Sequence, residues 1–240
     1  MAPDHPLLPR LRRMLNLSEV ERIAVELVPV QRERARAGQP ILREGARPTR
    51  CVSLESGLAC SAKTVSDGGR QIIAFHLPGD MPDLTSLHLG VRDCELRAIA
   101  ACELALVEHR DIHQLCEEHP RIAGALWRMT MVDAAIYREW TVNLGQREGL
   151  ARVAHLFCEV ARRMEAIGLA EGGCCAFPAT QDDIAEATGL SHVQVNRMLQ
   201  ELRRRRLLSF GRGRLTVHDW DALVAVADFR EDYLHLEPAL

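Results

Sequence analysis

No run in this 240-residue sequence approaches the roughly 18 uninterrupted apolar residues of a membrane-spanning helix, so a helical span is not expected. The opening segment, MAPDHPLLPRLRRMLNLSEVERIAVEL, lacks a signal peptide's long apolar core and passes straight into a charged, helix-like pattern. The expected compartment is therefore the cytoplasm, where thiols stay reduced. The cysteines (Cys51, Cys60, Cys94, Cys102, Cys116, Cys158, Cys174 and Cys175) form no CxxC pair, which argues against a zinc ribbon or a thioredoxin-like site. Also missing are a nucleophile–base pair, a metal-ligand spacing and a phosphate loop, so neither an enzyme nor a metal site is expected.

What is present suits packed cores: hydrophobic residues make up 47% of the chain. The net charge is only −3, so any basic surface that meets nucleic acid must be local. The length fits one large domain or two ordinary ones.

Near the N-terminus, Leu11, Leu15 and Leu17 mark a first short helix. Ser18 with Glu21 reads as a capping box for a second, whose apolar stripe is Val20, Ile23, Ala24 and Leu27, ended by Pro29. From Ala37 to about Val107 short β-rich runs alternate with turn residues: Pro40–Arg43, Cys51–Glu55, Leu58–Val65, Gln71–Leu77, Glu95–Ala100 and Glu103–Val107. Asp67-Gly68-Gly69-Arg70 is a tight-hairpin signal, because glycine accepts positive φ. Strands at this spacing predict a small antiparallel roll.

After Pro120 the period becomes helical, with Ile122, Ala125, Met129, Val132, Ile136 and Trp140 forming one stripe. That stripe suits a helix packed on its own barrel or one paired with a copy of itself, and its length favours pairing. Leu144-Gly145-Gln146 is the expected hinge, and a second amphipathic helix through Leu150, Val153, Phe157 and Ala161 ends at Gly172-Gly173. The expected division is residues 1–119, a long helix and hinge over 120–145, and a last domain over 146–240.

The sharpest pattern runs from Ala179 to Leu202. Thr180 caps a first helix with Asp183 three residues on, Gly189 supplies a turn, and Ser191 caps a second helix. Val195, Met198, Leu199 and Leu202 are its inward positions. Two short helices joined by a glycine turn predict a helix-turn-helix, whose second helix enters the DNA major groove. Its exposed early residues are His192, Val193, Gln194, Asn196 and Arg197. Arg197 is the best base reader, since its fork matches the O6/N7 edge of guanine, and Val193 suits a thymine methyl. Arg203-Arg204-Arg205-Arg206 then leads into a two-stranded wing with Arg212 at its tip, cations placed to neutralise phosphate.

This arrangement resembles the Crp/Fnr superfamily of bacterial transcription regulators. The likeness rests on Leu54-Glu55-Ser56-Gly57, the Asp67–Arg70 hairpin, Phe75-His76-Leu77-Pro78-Gly79-Asp80, the helix after Pro120, and Thr180 to Leu202 with its wing. It implies an α+β fold: an N-terminal antiparallel, jelly-roll-like β-roll with flanking helices, a long dimerisation helix, and a C-terminal winged helix-turn-helix. It also implies a homodimer on pseudo-palindromic double-stranded DNA, with RNA polymerase as a further partner. The effector pocket would fall on Gly79, Asp80, Arg92, Asp93, Asp133 and Tyr137.

Departures narrow the input. Where cyclic AMP-binding members carry an Arg-Ser-Ala run, this chain has Arg92-Asp93-Cys94, and Asp93 would repel the cyclic phosphate. The adenine-contacting Thr-Ser pair becomes Tyr137-Arg138. Cyclic AMP is not expected, nor is an iron–sulfur cluster, since no cysteine precedes Cys51. For haem, His76, His88, His109, His113 and His119 are only nominal ligands. Adjacent Cys174-Cys175 suggests a thiol switch or two ordinary thiols. In the reading helix the family's Ser-Arg-Glu-Thr-Val-Gly-Arg becomes Ser191-His192-Val193-Gln194-Val195-Asn196-Arg197, which retains the final arginine. The rival readings are a redox or haem sensor, or a cyclic-nucleotide-type regulatory subunit, acting through protein contacts.

Overall fold

A computed structural model describes residues 5–236; residues 1–4 and 237–240, at the ends of the expected first and last domains, lie outside them. Two compact units emerge. The first holds the chain up to Ser61, Phe75–Ala134 and Leu236, and the second holds Ala62–Ala74 with Ala135–His235.

Helices α1 (Leu8–Met14) and α2 (Glu19–Glu26) precede strands β1 (Gln31–Ala35), β2 (Pro40–Leu42), β3 (Arg50–Ser56), β4 (Ala59–Thr64), β5 (Arg70–His76), β6 (Glu95–Ala98) and β7 (Cys102–Glu108), all in the first unit except the end of β4 and most of β5. A three-stranded sheet runs β1-β7-β3 and a four-stranded one β2-β6-β4-β5. Register explains how β3 and β7 serve two cores. Val52 pairs with Leu106 and Leu54 with Leu104, and these four point into the roll with Leu96 and Ala98. Cys51 and Val107, paired with each other, alternate to the opposite face and join the helices.

That second core receives Leu7, Leu8 and Leu11 around α1, Ile112 and Leu115 of α3 (His109–Glu118), and Ile122, Ala125 and Met129 of α4 (Pro120–Gln146). Val132, Ile136 and Trp140 are buried too. The stripe expected to pair with another copy is therefore taken up inside the chain. The face of α4 left in solvent carries Trp127, Met131, Tyr137 and Val142 instead.

Three further expectations change. In α2, Val20, Ile23 and Leu27 lie in solvent, while Glu21 and Val25 face inward. Glu21 is held by the Ser18 capping box and by Arg121 at 3.0 Å, so the inward side of this helix is partly ionic. Strand β1, QRERA, carries no apolar alternation because four of its five residues are exposed. The long helix runs through Gly145 to Gln146, and the helical run is interrupted at Arg147–Glu148.

The second unit contains α5 (Gly149–Ala166), β8 (Ala170–Glu171), β9 (Cys174–Ala176), α6 (Gln181–Thr188), α7 (His192–Arg204), β10 (Leu208–Gly211), β11 (Arg214–Val217) and α8 (Trp220–Ala227). The rings of Phe157, Phe177 and Phe210 meet at centroid distances of 5.0–6.3 Å and centre its core. Glu159, fully buried on α5, accepts hydrogen bonds at 2.9 Å from the Trp140 indole and from the Tyr233 hydroxyl. The expected two-stranded wing is half of a four-stranded sheet, β10-β11-β9-β8. Gly172-Gly173, read as a helix stop, is the two-residue turn of the β8–β9 hairpin, both glycines at positive φ. The hairpin segment Ala62–Ala74 belongs to this unit because Arg70 pairs with Glu186 at 2.6 Å and Gln71 donates to the Glu186 carbonyl.

Candidate nucleic-acid interface

Two reciprocal caps position α6 and α7. Thr180 Oγ1 accepts from the Asp183 amide while the Asp183 carboxylate accepts from the Thr180 amide, and Ser191 and Gln194 repeat the exchange. Between them Gly189 adopts φ +62°, the left-handed conformation that glycine takes without strain. A methyl group there would come within 3.4 Å of Leu144. The Arg152 guanidinium fastens α5 to the end of α6 by donating to the Thr188 carbonyl at 2.8 Å. Ile184 seats α6, and Val195, Leu199 and Leu202 seat α7, all buried, with Met198 half-buried.

The opposite face of α7 presents His192, Val193, Gln194 and Arg197 to solvent, with Asn196 half-buried. Val193 is 77% exposed. Several polar groups on this face are already engaged. His192 Nδ1 lies 2.6 Å from Asp182 Oδ1. Asn196 donates to Gln181 Oε1 at 3.2 Å and accepts from Gln200 at 2.8 Å. Gln194 Oε1 is committed to the Ser191 cap, which leaves its amide N–H groups as donors. Arg197 makes no hydrogen bond or ion pair among the described residues, so its fork faces outward uncommitted. The polar side chains of α6 that brace this face, Gln181 and Asp182, were not singled out by the sequence pattern.

The arginine run is less uniformly basic than it reads. Arg204 and Arg205 both pair with Glu201 at 2.7 Å, and their hydrogen bonds pull the Glu201 carboxyl down to about 2. Arg203 reaches the Phe210 carbonyl at 3.4 Å. Arg212 is exposed at the tip of the β10–β11 hairpin, at φ +53° beside Gly213 at +73°. Positive φ at both central residues is the geometry whose twist matches a two-residue hairpin. In β9, the Cys174 thiol accepts from Thr216 at 3.4 Å and from Arg214 at 3.2 Å, and these donors hold its pKa below the usual thiol value. Cys175 is buried and its thiol is pushed up to about 11.

Of the residues assigned to an effector pocket, the structure gathers only part. Gly79 and Asp80 form the turn after β5, where Asp80 Oδ2 accepts from the Leu77 amide at 2.8 Å. Asp80 and Asp133 are joined by the buried guanidinium of Arg10, which sequence reasoning passed over. Arg92 is buried but turned away, donating to the Pro82 carbonyl at 3.4 Å and to Cys94 Sγ at 3.3 Å. Beside it, burial raises the Asp83 carboxyl to about 6. Asp93 is exposed, and Tyr137 lies on the solvent face of α4 in the second unit.

Known proteins share this layout. A family profile for a Crp-like helix-turn-helix domain matches residues 151–226, and one for a cyclic nucleotide-binding domain matches residues 32–119. The transcriptional activator protein FnrL of Cereibacter sphaeroides is 26% identical over 80% of this chain and 78% of its own. The nitrogen fixation regulation protein FixK of Bradyrhizobium diazoefficiens is 25% identical over 80% and 79%. The solved structure of FixK2 from Bradyrhizobium japonicum superposes with a TM-score of 0.75 at 27% identity, covering 83% of this chain and 98% of that one.

Proposed function

The chain belongs to the Crp/Fnr superfamily of DNA-binding transcription regulators, and on that premise we propose that it acts as a cytoplasmic homodimer on pseudo-palindromic promoter sites. Each protomer sets α7 into one major groove, the two grooves about one helical turn apart. The observation that carries this reading is the capped, exposed face of α7 with Arg197 uncommitted at its centre. Arg197 reads a guanine, Val193 rests on a thymine methyl, and Arg212 contacts phosphate. Thr180 and Ser191, whose own amides and hydroxyls close the caps, set the helix starts at which the N–H groups of the first turn meet the same phosphates.

The partner protomer covers the solvent face of α4. Trp127, 68% exposed, and Met131, 53% exposed, stand one turn apart on it. They border an apolar groove of about 510 Å³ lined also by Leu84, Leu89, Ile112 and Leu126. An apolar patch of this kind on a regulatory protein marks an association surface. Bound at a promoter, the dimer meets RNA polymerase; the chain catalyses no reaction of its own. Selection of bound duplexes from a random pool tests the reading. A two-fold symmetric site is expected, and a pool with no enrichment would contradict it.

A further inference from the structure

We propose that the acidic corner of the sensor roll is a guanidinium-binding site whose resident ligand is Arg10 of the same chain. Arg10 lies on α1, only 7% exposed. Its Nη1 pairs with Asp80, in the turn after β5, and its Nη2 with Asp133 of α4 at 3.1 Å. One planar fork thus bridges two carboxylates from separate elements, a geometry that a lysine's point charge does not reproduce. Arg13 comes from the same helix to Gly79: its Nη2 lies 3.4 Å from where a Cβ on that glycine would stand.

The chemistry follows from charge. Two carboxylates that share one guanidinium favour a cation over a phosphate, so the corner suits a guanidinium. Removing the cation takes the bridging guanidinium from the buried Asp80 carboxylate, which is destabilising. Asp133 stands one residue before Ala134, after which α4 passes into the second unit. Arg10 therefore ties α1, the Asp80 turn and α4 together just before that point, and the roll is set without a diffusible ligand. This last step deepens the regulator reading and rests on it; the binding site itself does not.

The test is chemical rescue of full-length Arg10→Ala. Its melting temperature is expected to fall below that of the wild type and to rise again with millimolar methylguanidinium. Methylammonium at equal concentration is expected to leave it unchanged, as is methylguanidinium added to the wild type or to Arg10→Ala/Asp133→Asn. Equal stability of Arg10→Ala and wild type, or equal gains from both cations, would overturn the assignment. If Arg10→Ala does not fold, Arg10→Lys takes its place: a lowered melting temperature supports the bridging fork, and wild-type stability overturns it. DNA affinity of Arg10→Ala is expected to drop about tenfold and to recover with methylguanidinium, a coupling of ordinary size. Loss of melting rescue would count against the site, whereas a wild type without DNA preference would count against the regulator reading alone.

Discussion

Ser191 and Gln194 close a reciprocal pair of hydrogen bonds at the start of α7: the Gln194 amide donates to Ser191 Oγ at 3.3 Å, and the Ser191 amide to Gln194 Oε1 at 2.9 Å. The exchange fixes the end of the helix proposed to meet DNA and occupies the Gln194 carbonyl. Gln194 therefore cannot offer a base the donor–acceptor pair that recognises adenine while the cap is closed. Replacing Ser191 by Ala is expected to cost about 1 kcal/mol of stability, read from urea unfolding. An unchanged midpoint would mean that the cap contributes nothing.

Association should depend on the exposed face of α4. Trp127→Asp is expected to convert the proposed dimer to a monomer in analytical ultracentrifugation and to weaken DNA binding with it. The buried stripe gives the contrast. Ile122→Ala should instead lower stability by about 2–5 kcal/mol, as a cavity in a packed core does, and leave association intact.

His155 makes the second unit sensitive to acid. The ring is fully buried, 5.2 Å from the Phe229 ring and 5.9 Å from Tyr233. Burial, helped by Arg147, lowers its pKa to about 3. Glu139 Oε1 lies 3.3 Å from its Nε2, but that carboxylate also takes Arg147 at 2.7 Å, so its charge is already matched. Unfolded, the ring binds a proton near 6.5; folded, it resists until about 3. Stability is therefore intact above pH 6.5 and declines as pH falls through that window, by at most about 1.4 kcal/mol per pH unit. His155→Phe is expected to flatten this limb in urea titrations between pH 7 and 4.

Thiol reactivity should single out Cys174. Burial raises the thiols of Cys51, Cys94, Cys102, Cys116, Cys158 and Cys175, whereas Thr216 and Arg214 lower that of Cys174. Iodoacetamide at neutral pH is expected to label Cys174 first by mass spectrometry, and Arg214→Ala should slow that labelling. Equal rates across the cysteines would contradict the assignment.

The sequence made the winged helix-turn-helix legible because caps, a glycine turn and inward apolar positions are local signals. Periodicity shows a helix, but it does not say which neighbour covers which face. So the stripe through Ile122 and Met129 could be read as a pairing surface until Leu8 and Leu11 of α1 were seen packed into the same core. Strand β1 escaped notice because its exposed residues are charged, and β8 because two residues give no alternation. Arg10 was invisible for another reason: an arginine on a short helix reads as solvated until its two carboxylates, 70 and 123 residues away, are brought to it.

The central claim is that α7 reads bases through Arg197. Its most direct test is the affinity of wild type and Arg197→Ala for a selected site and for unrelated duplex, at fixed salt. The variant is expected to lose about 1–3 kcal/mol at the selected site, with discrimination relaxed at one base pair of each half-site and little change on unrelated DNA. Equal affinity of both proteins for the selected site, or no preference by the wild type, would contradict the account.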